Sequence, residues 1–309
     1  MERCSFFIPD KALFGSFPTQ EAVEELEKHG VRYFVDLTDN NEEKTVPYRT
    51  VYRYIKYPIP DRKIPENWKT FAQLILEICK VILNSGSEEL VYIHCRGGHG
   101  RSGVLVACVL CQYYGITPDE ALRQTAKYHS NRKEMREKWR RLGSPQGKRQ
   151  KDFVHRFFRV LNYDKPNQYG LTVGLNNFTN HSVEIPGLGK FPNAHLAFQS
   201  FRAPDNAQYV NLLLEGKFCA EYVAEHNREW EEKKVDYMYT VLEYKFRQHP
   251  DLQKFLMNTG LRPLVKCSRD TFWGDGGNGH GKNIHGKLLV NLRNTFLHED
   301  FERNRENGL

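Results

Sequence analysis

The segment that most constrains this chain runs from Leu90 to Gly103, with the sequence LVYIHCRGGHGRSG. Four apolar residues lead into a cysteine and a glycine-rich loop, and an apolar segment follows, so the pattern predicts strand, loop and helix in that order. Glycines at 97, 98 and 100 allow successive backbone N–H groups to turn toward one point, which makes a cradle for an anion. The positive end of the helix predicted near Ser102 and the donor fork of Arg101 suit a phosphate group.

Cys95 stands where this strand meets the loop. A helix N-terminus and a nearby cation favour the thiolate form of a cysteine, which is the nucleophilic form. We therefore predict that Cys95 attacks phosphorus and forms a cysteinyl-phosphate, which water later hydrolyses. The alternative is a buried structural cysteine in a glycine turn. The residues predicted to bind the phosphate are those of the loop, Arg96, Gly97, Gly98, His99 and Gly100.

The motif HCRGGHGRS at 94–102 resembles the signature of the cysteine-dependent protein tyrosine and dual-specificity phosphatases. The resemblance implies that Cys95 is the nucleophile, that Arg101 clamps the transition-state phosphate, and that Ser102 assists breakdown of the intermediate. It also implies a reaction that uses neither a metal nor a cofactor.

Asp61 lies in a proline-flanked loop at 58–65, 34 residues before Cys95. Departure of an alkoxide or phenoxide from phosphorus needs a proton donor, and a carboxyl group over the cradle supplies one. The spacing resembles that of the general-acid loop in dual-specificity phosphatases, which implies this role for Asp61; a turn or helix-cap aspartate is the alternative. Asp36 and Asp39 are weaker candidates, because no rigid loop holds them.

Two further segments bear on the same site. The loop at 38–43 is wholly polar and is predicted to face solvent. Gln146, which follows Ser144-Pro145, and Gln150 resemble the late glutamine-bearing loop of these phosphatases. A functional role and a purely structural one are both open for these glutamines.

At 309 residues the chain exceeds one ordinary hydrophobic core, which predicts two domains. Residues 162–170 have the composition of a linker, so the predicted domains are 1–161 and 162–309. Alternating helix and strand patterns predict an α/β first domain with a central, mostly parallel sheet flanked by helices. Its last helix is predicted at 152–161.

The bulk properties restrict the setting. No run approaches the ~20 apolar residues of a membrane span, and the start of the chain lacks a secretory signal, so we expect a cytoplasmic or nuclear protein without membrane attachment. Seven cysteines, an odd number in a large chain, argue against a disulfide framework. Cys108 and Cys111 lie in an apolar helical pattern, which favours packed thiols over a metal or redox role.

The net charge of +7 arises in the first half of the chain. Residues 1–160 contain 27 Lys and Arg against 20 Asp and Glu, whereas residues 161–309 contain 18 of each. The segment 132–159 holds eleven basic and three acidic residues. This segment fits attraction of a phosphorylated substrate or a nucleic acid, and a solvated basic face is the alternative.

The second half carries five short motifs: GLNNF at 174–178, FPNAHLAFQ at 191–199, NREW at 227–230, FRQHP at 246–250 and FWGDGGNGHGKN at 272–283. Together they make residues 169–298 resemble the NADAR family. The resemblance implies a mainly α-helical domain that binds or hydrolyses an N-glycoside of ADP-ribose or of a ribosyl-base, such as ADP-ribosylated guanine. The site residues that it implies are Trp230 and Asp275 in the lining, with Asn177, Gly276 and Lys282 near the ribose phosphate.

One position departs from the NADAR pattern. Where the family usually carries a catalytic glutamate in WPxxEHxFQ, this chain has His195. A carboxylate stabilises an oxocarbenium-like centre, and an imidazole does not. N-glycosidase activity, with Asp275 as the remaining carboxylate, and ligand binding without turnover are therefore both open. An NTPase is excluded, because Asn283 replaces the magnesium-binding hydroxyl in the near-match to a phosphate loop at 276–283.

These patterns predict a phosphatase that acts on phosphotyrosine, phosphoserine or phosphothreonine, joined to an ADP-ribose-binding or N-glycosidase domain. One alternative is a nucleotide, RNA-end or ADP-ribose-phosphate phosphatase in which both domains serve one ADP-ribose pathway. The other is a catalytically silent phosphate-binding module. The expected partners are a phosphorylated protein or nucleotide, ADP-ribose or ADP-ribosylated guanine, and nucleic acid at the basic segment 132–159.

Overall fold

The structure, a computed structural model, describes residues 2–43, 45–84, 89–165, 170–219, 221 and 228–306. The chain divides into two compact units, Met1–Arg159 and Val160–Leu309. This division falls two residues before the predicted one, because strand Leu161–Tyr163 pairs with strand Leu264–Lys266 of the second unit. Among the described helices, none has the length and apolar character needed to cross a membrane.

The first unit is an α/β domain, which confirms the predicted class. Its described strands are β1 (Cys4–Ile8), β2 (Ala12–Ser16), β3 (Val31–Asp36), β4 (Arg53–Lys56) and β5 (Leu90–Cys95). Its described helices are α1 (Gln20–Lys28), α2 (Trp68–Asn84), α3 (Arg101–Tyr114), α4 (Pro118–Ser130), α5 (Glu137–Leu142) and α6 (Lys148–Phe157). The predicted helix at 152–161 is therefore shifted toward the N-terminus, and Leu161 belongs to a strand.

The five strands form one sheet in the order β1-β2-β5-β3-β4. Only the β1–β2 pair is antiparallel among these neighbours. Every residue of β5 is buried, as expected for a central parallel strand covered on both faces. Ser16 pairs with Cys95, and Asp36 pairs with His94, so three strands deliver their carboxyl ends to one edge of the sheet.

Helix α3 packs inside the first unit and contacts α2, α4 and α6. All residues from Arg101 to Cys111 are buried, which explains why its sequence is apolar on every side. Cys108 and Cys111 are free thiols in this core, and burial raises the pKa of Cys111 to about 12. Helix α4 begins with a side-chain cap, since the Thr117 side chain accepts a hydrogen bond from the Glu120 N–H group.

The second unit is mainly helical, which also agrees with the prediction. Its described helices are α7 (Ala194–Ser200), α8 (Ala207–Leu214), α9 (Arg228–Gln248), α10 (Pro250–Asn258) and α11 (Ile284–Glu306). Short strands form two pairs, β6 (Leu161–Tyr163) with β9 (Leu264–Lys266) and β7 (Val183–Ile185) with β8 (Gly189–Phe191). The core includes buried side chains of α9 and α11, among them Leu242, Phe246, Leu289 and Leu292.

Candidate functional site

The carboxyl end of β5 places Cys95 against the start of α3. Cys95 is buried, and its Sγ lies 3.5 Å from Oγ of Ser102. Arg101 is the first residue of α3, with Gly100 as the helix N-cap. The strand, loop and helix predicted from the sequence are therefore present, and they bring the predicted nucleophile, clamp and hydroxyl together.

The loop after Cys95 is tightly packed at Gly98. Gly98 has a φ of 70°, and a Cβ there would lie 2.4 Å from the carbonyl carbon and oxygen of Gly15. Only glycine allows this backbone and this close approach. On the carbonyl side, Nη1 of Arg132 donates to the Gly98 oxygen at 2.8 Å, and Nη2 donates to the Phe14 oxygen at 3.2 Å. Arg132 is thus a buried support of the loop rather than part of a solvated basic face.

The guanidinium of Arg101 is almost fully buried between three acceptors. Its Nη2 donates to Oε1 of Glu42 at 2.6 Å and to Oδ1 of Asp61 at 3.1 Å, and Nη1 donates to the Ile59 carbonyl oxygen at 2.9 Å. Nη1 also contacts the second oxygen of Glu42. The plane of the Arg101 guanidinium is therefore fixed by two loops, one that carries Glu42 and one that carries Ile59 and Asp61.

The Glu42 contact corrects the prediction that the loop at 38–43 faces solvent. The Glu42 side chain is 3% exposed and that of Arg101 is 2% exposed. Burial alone would raise the pKa of Glu42, but the hydrogen bonds and the charge of Arg101 outweigh it and lower that pKa. A polar loop residue can be buried when a buried cation pairs with it, and nothing local in the sequence signals that pairing.

Asp61 lies at the mouth of the site, with its side chain 41% exposed. One carboxylate oxygen contacts Arg101, and the other accepts from Nη2 of Arg96 at 3.1 Å. The weaker candidate Asp36 is instead buried, and its carboxylate accepts from Lys56 and Tyr54. Asp61 is thus the candidate acid that the fold places beside the loop.

A cavity of about 130 Å³ borders the cysteine and the loop. Its lining contains Asp61, Arg62, Cys95, Arg96, Gly97, His99, Gly100, Arg101, Trp139, Gln146 and Gln150. Both glutamines of the late loop therefore reach the site. The Oε1 atom of Gln146 is buried and has no hydrogen-bond partner among the described residues, so it is available to a ligand. Trp139 and Arg62 were not predicted from the sequence.

His99 is held by a second histidine from α4. Its Nδ1 lies 2.8 Å from Nε2 of His129, and its ring stacks on Trp139 at 5.0 Å. Burial lowers the pKa of His99 to about 4 and that of His129 to about 3, so both rings are neutral at neutral pH. Nδ1 of His129 is buried without a partner in the described part of the chain. At that buried Nδ1 an unpaired lone pair is less costly than an unpaired N–H group, so the proton of His129 belongs on Nε2. Nε2 of His129 then donates to Nδ1 of His99, and the proton of His99 is on its Nε2.

The basic segment 132–159 is not one helix face but two short helices, α5 and α6, separated by the loop that carries Gln146. Arg140 is half-buried and donates to the carbonyl oxygens of Ser130 and Arg132. Nine of the eleven cations are exposed: Lys133, Arg136, Lys138, Arg141, Lys148, Arg149, Lys151, Arg156 and Arg159. Most of the predicted positive charge therefore does face solvent.

In the second unit, Asn177 is buried and its amide is fixed on both sides. Its Oδ1 lies 3.0 Å from Nε2 of His285, and its Nδ2 donates to Sδ of Met238 at 3.2 Å. Nδ1 of His285 lies 2.6 Å from the Tyr163 hydroxyl, and burial lowers the pKa of this histidine. A neutral His285 that donates to Asn177 and accepts from Tyr163 satisfies all three groups.

His195, at the position of the usual NADAR glutamate, is packed between aromatic rings. Its ring stacks on Phe178 at 4.4 Å and meets the edge of Phe218 at 5.8 Å. Burial, together with the charges of Lys266 and Arg202, lowers the pKa of His195 to about 4. At neutral pH this ring is therefore neutral and carries no charge that could stabilise an oxocarbenium-like centre.

Of the remaining predicted residues of this unit, Trp230 lies against Phe198 of α7, and the other three lie in one loop. Trp230 is buried and packs on Phe198 at 4.7 Å, and Trp273 packs on it at 5.5 Å. The loop after Trp273 contains the other three predicted residues. These are Asp275, Gly276 with a φ of 75°, and Lys282, which is exposed.

Asp275 organises its own loop. Its Oδ1 accepts from the N–H groups of Ser268 at 2.9 Å and of Gly277 at 3.0 Å, and these bonds lower its pKa. Lys282 lies beside Phe272, with Nζ 5.4 Å from the ring centroid. One oxygen of the only carboxylate predicted for this site is therefore already engaged by the backbone.

The first unit is a mostly parallel α/β domain whose central strand, β5, ends at Cys95 and the glycine-rich loop. This arrangement places it in the class of tyrosine and dual-specificity phosphatases. The family model for the DSP-PTPase phosphatase domain of Swiss Army Knife proteins matches residues 1–154, and the NADAR domain model matches residues 189–297. The chain belongs to the same family as "Putative tyrosine phosphatase 197R" of Invertebrate iridescent virus 6. The two are 32% identical over 308 residues, which cover 95% of each protein.

Two further relatives match one half each. "Putative tyrosine phosphatase 067L" of Invertebrate iridescent virus 3 is 41% identical over 160 residues, 51% of this chain and 66% of that protein. "N-glycosidase YbiA" of Shigella flexneri serotype 5b is 45% identical over 144 residues, 44% of this chain and 88% of that protein. The chain therefore combines a phosphatase domain with a NADAR domain.

Proposed function

We propose that the first unit hydrolyses phosphomonoesters through a cysteinyl-phosphate intermediate. The observation that carries this proposal is the presence of Cys95, Arg101 and Asp61 around one cavity. The Cys95 thiolate attacks phosphorus, and a sulfur–phosphorus bond forms as the bond to the leaving oxygen breaks. Asp61 gives its proton to that oxygen. Arg101 and the loop N–H groups hold the other phosphate oxygens.

The second step reverses the roles of the same groups. Asp61, now a carboxylate, takes a proton from water as the water attacks phosphorus. The sulfur leaves as a thiolate, and the Ser102 hydroxyl, 3.5 Å from Sγ, stabilises it with a hydrogen bond. Inorganic phosphate is released, and every group returns to its starting state.

The test is Cys95→Ser, with p-nitrophenyl phosphate and phosphopeptides as substrates. Turnover is expected to disappear, while binding of the phosphopeptide persists. When turnover of a substrate labelled in its phosphate group is stopped with acid, the unaltered protein should carry labelled phosphate and the variant should not. Cys267→Ser, a half-exposed cysteine of the second unit, is the control and should keep full activity. Undiminished turnover by Cys95→Ser would refute the nucleophile assignment.

Phosphotyrosine, phosphoserine and phosphothreonine proteins are the substrates that the family favours, and nucleotides or RNA ends are the second candidate. Trp139 in the cavity lining and the exposed cations of 132–159 support the second candidate, because a base stacks on an indole and phosphates attract cations. Comparing phosphopeptides, RNA 5′-triphosphate and phosphates of ADP-ribose separates the two. Tight oxyanion binding without turnover of any of them would instead indicate a silent phosphate-binding module.

We infer that the second unit binds ADP-ribose or a ribosylated base such as ADP-ribosylated guanine without cleaving it. Two observations support binding over hydrolysis: His195 is a neutral imidazole where the family has a glutamate, and Oδ1 of Asp275 is engaged by the backbone. The test is incubation with ADP-ribosylated guanosine. The unaltered protein is expected to bind it and leave it intact, and His195→Glu is expected to gain turnover. Hydrolysis by the unaltered protein would refute this inference.

A further inference from the structure

A second cavity of the first unit lies apart from the catalytic one. Its volume is about 420 Å³, against about 130 Å³ for the cavity that borders Cys95, and the two share no residue of their described linings. The second cavity is lined by the start of β1, the connection between β2 and α1, one face of α1, and β5. Its volume lies in the range of sites that bind small organic molecules.

The inner part of this second cavity is apolar. Its apolar and aromatic lining residues are Cys4, Phe17, Pro18, Ala22, Leu26 and Tyr92. Pro18, Leu26 and Tyr92 are buried, whereas every charged residue of the described lining is exposed. Such a recess favours a ligand with a ring or an alkyl chain, because binding removes apolar surface from water on both sides.

The charge at the mouth of the second cavity is opposite to that of the catalytic cavity. The described lining contains three carboxylates and one cation, which are Glu2, Glu25, Glu134 and Arg3. The catalytic lining contains three cations and one carboxylate, which are Arg62, Arg96, Arg101 and Asp61. Nε of Arg3 donates to Oε2 of Glu134 at 3.1 Å, so the cation is itself paired with a carboxylate. The second cavity therefore favours a cationic ligand and disfavours a phosphate.

One wall of the second cavity also supports the catalytic loop. Ser16 pairs with Cys95 across the sheet, and the Phe17 N–H group donates to the Arg96 carbonyl oxygen at 3.1 Å. The Tyr92 hydroxyl donates to the Ser16 carbonyl oxygen at 2.6 Å. A ligand that packs on Phe17 or Tyr92 therefore touches residues that hold the loop in place.

The same wall contacts the residues around the nucleophile at two further points. The Phe17 ring meets the buried His94 ring at a centroid distance of 5.2 Å, and His94 directly precedes Cys95. Gly15, next to Ser16, packs against Gly98 of the loop. Because protein interiors are close-packed, a restraint on this wall is transmitted to the loop.

We propose that this cavity binds a small organic cation, a protonated amine with an aromatic or alkyl body, and that the bound ligand tightens phosphate binding at the catalytic loop. The body lies on Phe17, Leu26 and Tyr92, and the ammonium group lies among the carboxylates at the mouth. The ligand restrains the wall that supports the loop, so less conformational freedom is lost when phosphate binds. The site is independent of the phosphatase function proposed above, and only its effect on catalysis rests on that function.

The first experiment is titration calorimetry on the full chain with three probes of similar shape: phenethylamine, phenethyl alcohol and phenylacetate. We expect phenethylamine to bind about fivefold more tightly than the alcohol, and phenylacetate to bind least. Added salt should reduce this preference. Equal binding of the three probes, or a preference for phenylacetate, would overturn the assignment of a cationic ligand.

Two variants test the location of the site. Ala22→Phe fills the cavity from α1 and should abolish phenethylamine binding. Glu25→Gln should weaken that binding about twofold, whereas Glu24→Gln changes a neighbouring exposed carboxylate outside the described lining and should leave it unaltered. Thermal unfolding checks that each variant is folded. Unchanged binding by both Ala22→Phe and Glu25→Gln would overturn the site.

The second experiment is hydrolysis of p-nitrophenyl phosphate with and without saturating phenethylamine. We expect KM to fall about fivefold with little change in kcat, and Ala22→Phe not to respond. Binding of phenethylamine with an unchanged KM would overturn the coupling. If the unaltered protein does not hydrolyse the substrate, the phosphatase function fails separately, and the affinity for inorganic phosphate with and without phenethylamine then tests the coupling.

Discussion

Glu42 and Arg101, 59 residues apart in the chain, form an ion pair that is almost completely removed from solvent. Nη2 of the arginine lies 2.6 Å from Oε1 of the glutamate. The pair fixes the plane of the guanidinium that would hold the phosphate. A candidate clamp for phosphate is therefore positioned by a residue outside its own motif.

Removing the Glu42 carboxylate should impair the site through Arg101. Glu42→Ala leaves a buried cation without its main partner, which should cost about 3–5 kcal/mol of unfolding free energy. Misplacement of the guanidinium should lower kcat/KM about 100-fold. The measurements are urea unfolding and steady-state kinetics with p-nitrophenyl phosphate. Glu43→Ala removes an exposed neighbouring carboxylate and should change neither quantity; equal effects of the two variants would contradict the role of Glu42.

Asp61→Asn should slow the reaction according to the leaving group. General acid catalysis typically contributes about 10²–10⁴-fold, and that contribution matters most for an alkoxide, which leaves poorly without a proton. We therefore expect a large loss with alkyl phosphates and a small one with p-nitrophenyl phosphate. Asp39→Asn, at a residue without a rigid loop to hold it, is the control. Equal losses on both substrates by Asp61→Asn would exclude the acid role.

The His99–His129 pair should make stability fall in acid. Unfolded histidines take up protons near pH 6.5, whereas the folded pKa values are about 4 and about 3. The unfolded state therefore binds more protons between these limits, and stability is lost as pH falls from about 6.5 toward 4. His129→Phe should lose less stability over that interval. Urea unfolding at pH 7 and pH 5 measures this, with exposed His155→Phe as the control. An unchanged difference would refute the prediction.

His129→Phe should also change the site, because it releases Nδ1 of His99. The proton on His99 is then free to occupy either nitrogen, so we expect a higher KM for the phosphate substrate with a smaller effect on kcat. His129→Gln, whose amide can still donate, should restore part of the affinity. No difference between the Phe and Gln variants would show that His129 acts by packing alone.

Gly98→Ala should disrupt the loop by collision and not only by backbone strain. The left-handed conformation costs a residue with a side chain about 1–2 kcal/mol. At Gly98 the new Cβ would also lie 2.4 Å from the Gly15 carbonyl, whereas at Gly115, with a φ of 65°, nothing lies within 4 Å. Gly115→Ala therefore isolates the strain. Thermal unfolding and vanadate binding should show a much larger loss for Gly98→Ala, and equal losses would contradict the packing argument.

The exposed cations of α6 should matter for polyanionic substrates alone. Changing Lys148, Arg149 and Lys151 together to glutamate should lower kcat/KM for RNA 5′-triphosphate and reduce its salt dependence. Hydrolysis of p-nitrophenyl phosphate should be unaffected. The matched control makes the same charge change at Lys190, Lys254 and Lys287, which are exposed in the second unit. Equal effects of the two triple variants would leave the basic segment without a specific role.

Many features of the fold and of the candidate site were predicted from sequence patterns that span only a few residues. The glycines of the loop, the apolar strand before Cys95 and the apolar helix after it each depend on local backbone and burial preferences. Such preferences act between neighbours in the chain, so they can be recognised in the sequence. The α/β class of the first unit and the assembly of Cys95 with Arg101 were predicted on that basis, whereas the helical class of the second unit was what its resemblance to the NADAR family implied.

Pairings between distant segments were decided only in the folded molecule. Glu42 lies in a loop that looks solvated until Arg101 is buried beside it, and Arg132 looks like one more surface cation until its guanidinium reaches the Gly98 carbonyl. Burial and pairing depend on which segments pack together, and a charged side chain has the same local sequence signal whether it meets water or a buried counter-ion.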